Sequence, residues 1–135
     1  LMASFYLNYQ WAGFSPWSYH AVNIFLHAAV ALLVFFILRR LIERAAADSA
    51  KDLIAVLGAG IFLLHPLQSE SVAYIASRSE ILSTLFAYGA LAVFLYRPQP
   101  DIAWPRAILV LALLAAAMGS KEHTAAMVAV PLVLA

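Results

Sequence analysis

Of the 135 residues, 65% are hydrophobic and 11% are charged, and the formal net charge is +1. Soluble domains carry about 45–50% apolar residues, so this composition excludes an ordinary globular enzyme and points to an all-α, polytopic transmembrane helix bundle. The near-neutral charge gives no surface for nucleic acid, and the absence of cysteine excludes disulfides and thiolate metal sites.

The chain opens on LMASFYLNYQ, with no basic stretch of the kind that starts a secretory signal. Residues 1–15 mix aromatic and polar side chains. Tyr6, Tyr9, Trp11, Trp17 and Tyr19 suit the aromatic belt of a membrane–water boundary, and a short interfacial helix ended by Gly13 is expected. Ser15 followed by Pro16 reads as an N-cap with proline at the first helical position.

A first span is expected over residues 16–38, about 34 Å at ~1.5 Å per residue, enough to cross a hydrocarbon core of ~30 Å. His20, Asn23 and His27 share one face of it. Two histidines without a carboxylate make a poor metal site, and the stripe suits hydrogen bonds to another helix. RRLIERAAADSAKD then reads as a charged loop.

A second span, residues 53–64, reaches only about 18 Å. Either its helix starts earlier, among the alanines at 45–47, or His65 and Pro66 lie in a cavity below the far surface. Pro66 predicts a break there, and residues 69–76 predict a short boundary helix. Ser77-x-x-Glu80 has the capping-box pattern at the start of a third span, residues 78–96. YRPQPDIAWPR is a loop broken by three prolines. A fourth span (107–119) and a truncated fifth (124–135) follow. Gly58-Ala-Gly60 lacks the third glycine and the strand context of a dinucleotide site, and reads as close helix packing. No boundary divides the chain, and both ends look cut, as in an internal piece of a larger membrane protein.

Arg39, Arg40, Arg44, Lys51, Arg97 and Arg106 fall on one side of these spans, and only Arg78 and Lys121 on the other. The positive-inside rule makes the first side cytoplasmic. The stretch HPLQSESVAYIASRSE, residues 65–80, then faces the lumen or periplasm together with SKEH. Ionisable residues in so apolar a chain mark a functional site by default. Arg78 and Lys121 suit a phosphate, the first through its bidentate fork and the second as a point charge. As plain interfacial residues they would instead pair with Glu70, Glu80 and Glu122. Glu80 has a structural role open to it in the capping box, and Glu70 in the first turn of a helix. Glu122 has neither. His65 either lines a ligand pocket or only ends a helix.

Four stretches, SFYLNYQWAGFSPWSYHAVNIFLH, LRRL, FLLHPLQSESVAYIASRSEILSTLF and GSKEHTAAMVAVPLVL, resemble in order the membrane domain of the transmembrane, tetratricopeptide-repeat O-mannosyltransferases of the GT-C class. Where many relatives carry Gly-Arg-x-Asp, this chain has Ser77-Arg78-Ser79-Glu80. The resemblance implies a sugar donor linked to polyprenyl or dolichyl phosphate, a protein hydroxyl as acceptor, and an active site on the lumenal or periplasmic face of the endoplasmic reticulum or bacterial inner membrane. No further cofactor and no metal are implied. It assigns Arg78 and Lys121 to the donor phosphate and His65, Glu70, Glu80 and Glu122 to the lining of the site. The base is expected in an outer loop before residue 1, so the fragment alone is expected to be inactive. The competing reading is a transporter or flippase relaying protons through His27, Glu70 and Glu122. Against it, the acids gather at span ends rather than at the bilayer midplane.

Overall fold

The computed structural model describes residues 2–45, 50–97 and 103–121, and every regular element among them is helical. The helices are α1 (Met2–Ala12), α2 (Pro16–Ala45), α3 (Lys51–Leu64), α4 (Ser69–Ala73), α5 (Arg78–Leu95) and α6 (Trp104–Ser120), with 3₁₀ turns Pro66–Gln68 and Ile75–Ser77 on either side of α4.

Helix α2 packs between α3 and α5, and α6 lies against α5. Three contacts fix the directions. Arg40 and Arg44 at the end of α2 both donate to the Leu95 carbonyl at the end of α5, so these two helices run parallel. His27 lies 3.4 Å from the Leu63 carbonyl while Leu38 packs on Gly58, so α3 runs the other way. Lys121, just past α6, meets Glu80 in the first turn of α5, so α6 is antiparallel to α5. All the basic ends therefore share one end of the bundle, and the polar stretch around residues 65–80 occupies the other.

Small side chains make this close stacking possible. Ala55, Ala59, Ala87, Ala90 and Ala117 are buried at the contacts, as expected where apolar helices pack without water. A hydrophobic cluster joins Ile37, Ala90, Phe94, Leu95, Val110 and Leu114 near the basic end. Phe25, Leu32, Leu57, Ile61 and Leu111 point outward, which suits hydrocarbon rather than water.

Among the described residues, two helical stretches, Pro16–Ala45 and Ile75–Leu95, are long and apolar enough to cross a membrane. The 14 residues of α3 cover about 21 Å and the 17 of α6 about 26 Å, both short of ~30 Å. Helices stand at all four expected positions, two of them long enough to cross by themselves, and the expected fifth, residues 124–135, lies outside the described residues. One correction concerns α2, which does not stop at Leu38. It continues as helix through Arg39 and Arg40 to Ala45, for a total of 30 residues. The charges do not end it because each finds a partner: Arg39 on Asp52, Arg40 on Glu43, and Lys51 back on Glu43.

The Gly58-Ala-Gly60 expectation holds for one glycine only. A Cβ on Gly58 would lie 2.5 Å from Leu38 Cδ1, whereas Gly60 faces open space. The atom met is the free end of the Leu38 side chain, which can swing aside, so Gly58→Leu is expected to destabilise by about 1 kcal/mol, the low end of the overpacking range. Gly60→Leu should be close to neutral. Thermal unfolding midpoints of the two variants, solubilised in the same detergent, check the contrast.

Candidate functional site

The polar end is built on two short breaks in the helices. At the first, Pro66 removes a backbone donor and α3 stops at Leu64. His65 becomes the cap of the following turn, its Nδ1 accepting from Leu67 N at 3.2 Å, and Ser69 Oγ donates to the Pro66 carbonyl at 2.6 Å. Helix α4 then runs for five residues and ends at Tyr74, whose backbone is extended. The turn Ile75–Ser77 leads into α5.

Arg78, the first residue of α5, has no exposed surface. Its Nε donates to Asn23 Oδ1 at 2.9 Å. One terminal nitrogen donates to Asn8 Oδ1 at 3.0 Å and to the Tyr19 carbonyl at 3.1 Å, and the other to the Ser4 carbonyl at 3.4 Å. The guanidinium carbon sits 4.6 Å from the Phe5 ring centre and 5.4 Å from that of Tyr19. Every one of these partners is uncharged. The cage ties α1, α2 and α5 together, and Asn8 Nδ2 extends it to Ser18 Oγ at 2.9 Å. Asn23 uses both ends of its amide, accepting from Arg78 and donating to the Tyr74 carbonyl at 3.4 Å.

Outside this cage lies an open hollow of about 410 Å³, lined among others by Glu70, Tyr74, Ser77, Ser79, Glu80 and Lys121. The Lys121 ammonium pairs with the Glu80 carboxylate across it. A neighbouring space of about 500 Å³ shares Glu70, Tyr74 and Ser77 with the first, so these three form a wall between two openings. A narrower cleft of about 250 Å³ starts at the same Glu80 and follows α5 inward past Ile81, Thr84 and Tyr88.

The structure therefore brings together Glu70, Glu80 and Lys121 of the expected site residues. It does not form the expected cradle of two cations, because Arg78 points into the cage and leaves Lys121 as the cation on the hollow. His65 caps a turn and is not among the residues lining the hollow, and Glu122 lies outside the described residues. The capping box is also not formed. Ser77 already has helical backbone angles at the end of the preceding turn, its side chain makes no cap bond, and Glu80 turns to Lys121 instead. Two of the three residues in the polar stripe on α2 do what its spacing implies: Asn23 and His27 are buried and reach the Tyr74 and Leu63 carbonyls, while His20 is half-buried. Asn8, bonded to Arg78, and Tyr74, lining the hollow, are the residues of this end that their spacing does not mark. Asn8 stands among aromatic residues with no spacing to mark it, and Tyr74 passes for an interfacial aromatic.

Two helices long and apolar enough to cross a membrane, with a polar, charged hollow at one end of the bundle, fit the class of helical membrane proteins. Comparison with known proteins narrows this. The chain is 31% identical over 122 residues to protein O-mannosyl-transferase TMTC3 of Mus musculus, covering 89% of this chain and 12% of that protein. It is 35% identical over 121 residues to protein O-mannosyl-transferase Tmtc1 of Drosophila melanogaster, covering 88% and 13%. With F38B6.6 of Caenorhabditis elegans, also named a protein O-mannosyl-transferase, it shares 40% identity over 88 residues, 65% of this chain and 12% of that one. The chain thus spans about an eighth of the length of these curated relatives. No family model and no solved structure matches it. Over the stretch it covers, the chain belongs to the TMTC O-mannosyl-transferase-like family.

Proposed function

We propose that this chain is part of the membrane domain of a glycosyltransferase that moves mannose from a polyprenyl-phosphate donor to a protein hydroxyl. Alignment over 89% of the chain with a protein named as an O-mannosyl-transferase carries this reading. The geometry supports this reading. Lys121, held on the rim by Glu80, is a point charge that can exchange its carboxylate partner for the phosphate that leaves with the lipid. The cleft descending from Glu80 past Ile81 and Tyr88 offers the lipid a path into the bilayer.

In this reading α3 and α6 also cross the membrane, and their shortness recesses the hollow below the surface. The basic end of the bundle is cytoplasmic by the positive-inside rule, which leaves the hollow on the lumenal or periplasmic side. The test is transfer of labelled mannose by the complete parent protein, reconstituted in vesicles, from polyprenyl-phosphate mannose to serine- and threonine-containing peptides. Label on the peptide is the expected result. Passage of intact lipid-linked sugar across the bilayer without peptide labelling would overturn it in favour of a flippase.

A further inference from the structure

A fully buried arginine whose partners among the described residues are all uncharged is costly for a fold to keep, and its surroundings indicate its use. Arg78 spends its Nε on Asn23 Oδ1, and this fixes which way round the Asn23 amide sits. With its oxygen held, the Asn23 nitrogen is aimed at the Tyr74 carbonyl. Tyr74 is the residue at which α4 ends and the backbone turns towards α5. Its side chain, with Glu70 one turn before it and Ser77 three residues after it, is the wall between the two openings. A continuous chain of hydrogen bonds thus runs from α1 through Asn8, Arg78 and Asn23 to the wall of the hollow.

We propose that Arg78 is a positioning residue: through the Asn23 amide it sets the Tyr74 turn, and with it the placement of Glu70 and Tyr74 against Lys121, without touching the ligand itself. The consequence for donor binding rests on the function proposed above, whereas the relay itself does not. Asn23 and Asn8 separate the two. Asn23→Asp and Asn8→Asp each place a carboxylate on the guanidinium, so any change in charge is common to both. Only Asn23→Asp removes the donor to the Tyr74 carbonyl.

The experiment uses the complete parent in lipid nanodiscs, with hydrogen–deuterium exchange of residues 69–77 and of α1, and steady-state transfer from polyprenyl-phosphate mannose. Asn23→Asp is expected to speed exchange in residues 69–77 by tenfold or more while α1 stays protected, and to raise the donor KM at least fivefold above that of Asn8→Asp with less effect on kcat. Asn8→Asp should leave exchange in residues 69–77 as in the wild type. Equal exchange in the two variants would overturn the relay. Faster exchange in Asn23→Asp with equal donor KM in both would overturn the link from the turn to the donor. A wild-type parent that transfers no mannose would sink the functional reading, while the exchange data would still decide the relay.

Discussion

Arg78→Ala is expected to release α1 from the bundle and to lower sharply the amount of folded parent recovered from the membrane. The change removes the donor to two side-chain amide oxygens, those of Asn8 and Asn23, and to the carbonyls of Ser4 and Tyr19. Each buried acceptor left unpaired costs about 1–3 kcal/mol, so the two amides alone account for roughly 2–6 kcal/mol. The neighbouring rings of Tyr19 and Phe5 also lose the cation that lies over both. Against a typical total stability of about 5–15 kcal/mol, this is enough to unfold a large share of molecules. Arg78→Lys should fall between, because an ammonium keeps the charge but cannot reach Asn8 and Asn23 with one planar fork. Thermal midpoints and exchange in α1 check both variants. A wild-type midpoint with a protected α1 in Arg78→Ala would refute the cage as a source of stability.

Lys121→Met should behave in the opposite way, with normal amounts of protein and at least a hundredfold slower transfer. Its pair with Glu80 is partly exposed, and such pairs contribute at most about 1 kcal/mol to stability. A preorganised charge on a developing phosphate anion is of the kind whose loss costs about 10²–10³ in rate. Lys121→Arg keeps the charge and should recover part of the activity. Initial rates at saturating donor, normalised to recovered protein, make the comparison. Wild-type rates in Lys121→Met would mean that this ammonium only neutralises Glu80.

The parts of this architecture legible in the sequence are those set by neighbours along the chain. Pro66 announced the end of α3, the polar stretch 69–76 was legible as a short helix, and the apolar run after Glu80 announced α5. The stripe of Asn23 and His27 declared a face that had to find partners. What escaped was settled by residues far apart. Arg39 and Arg40 look like the end of a span, yet RRLIER is made of good helix formers, and acceptors on Asp52, Glu43 and Leu95 let the helix continue. The capping box failed because a 3₁₀ turn had already taken Ser77 into helical geometry. Arg78 reads as one cation of a phosphate pair until Asn23, 55 residues away, and Asn8, 70 residues away, are seen to occupy it. Spacing carries no trace of such contacts.

The neutrality of the described partners of Arg78 has one further physical result. Amide oxygens and ring faces can solvate the guanidinium but cannot cancel it, so its full unit of positive charge persists inside packed, poorly polarisable surroundings. Its field spreads outward beneath the mouth of the bundle and biases that floor against cations, even though the arginine never emerges there.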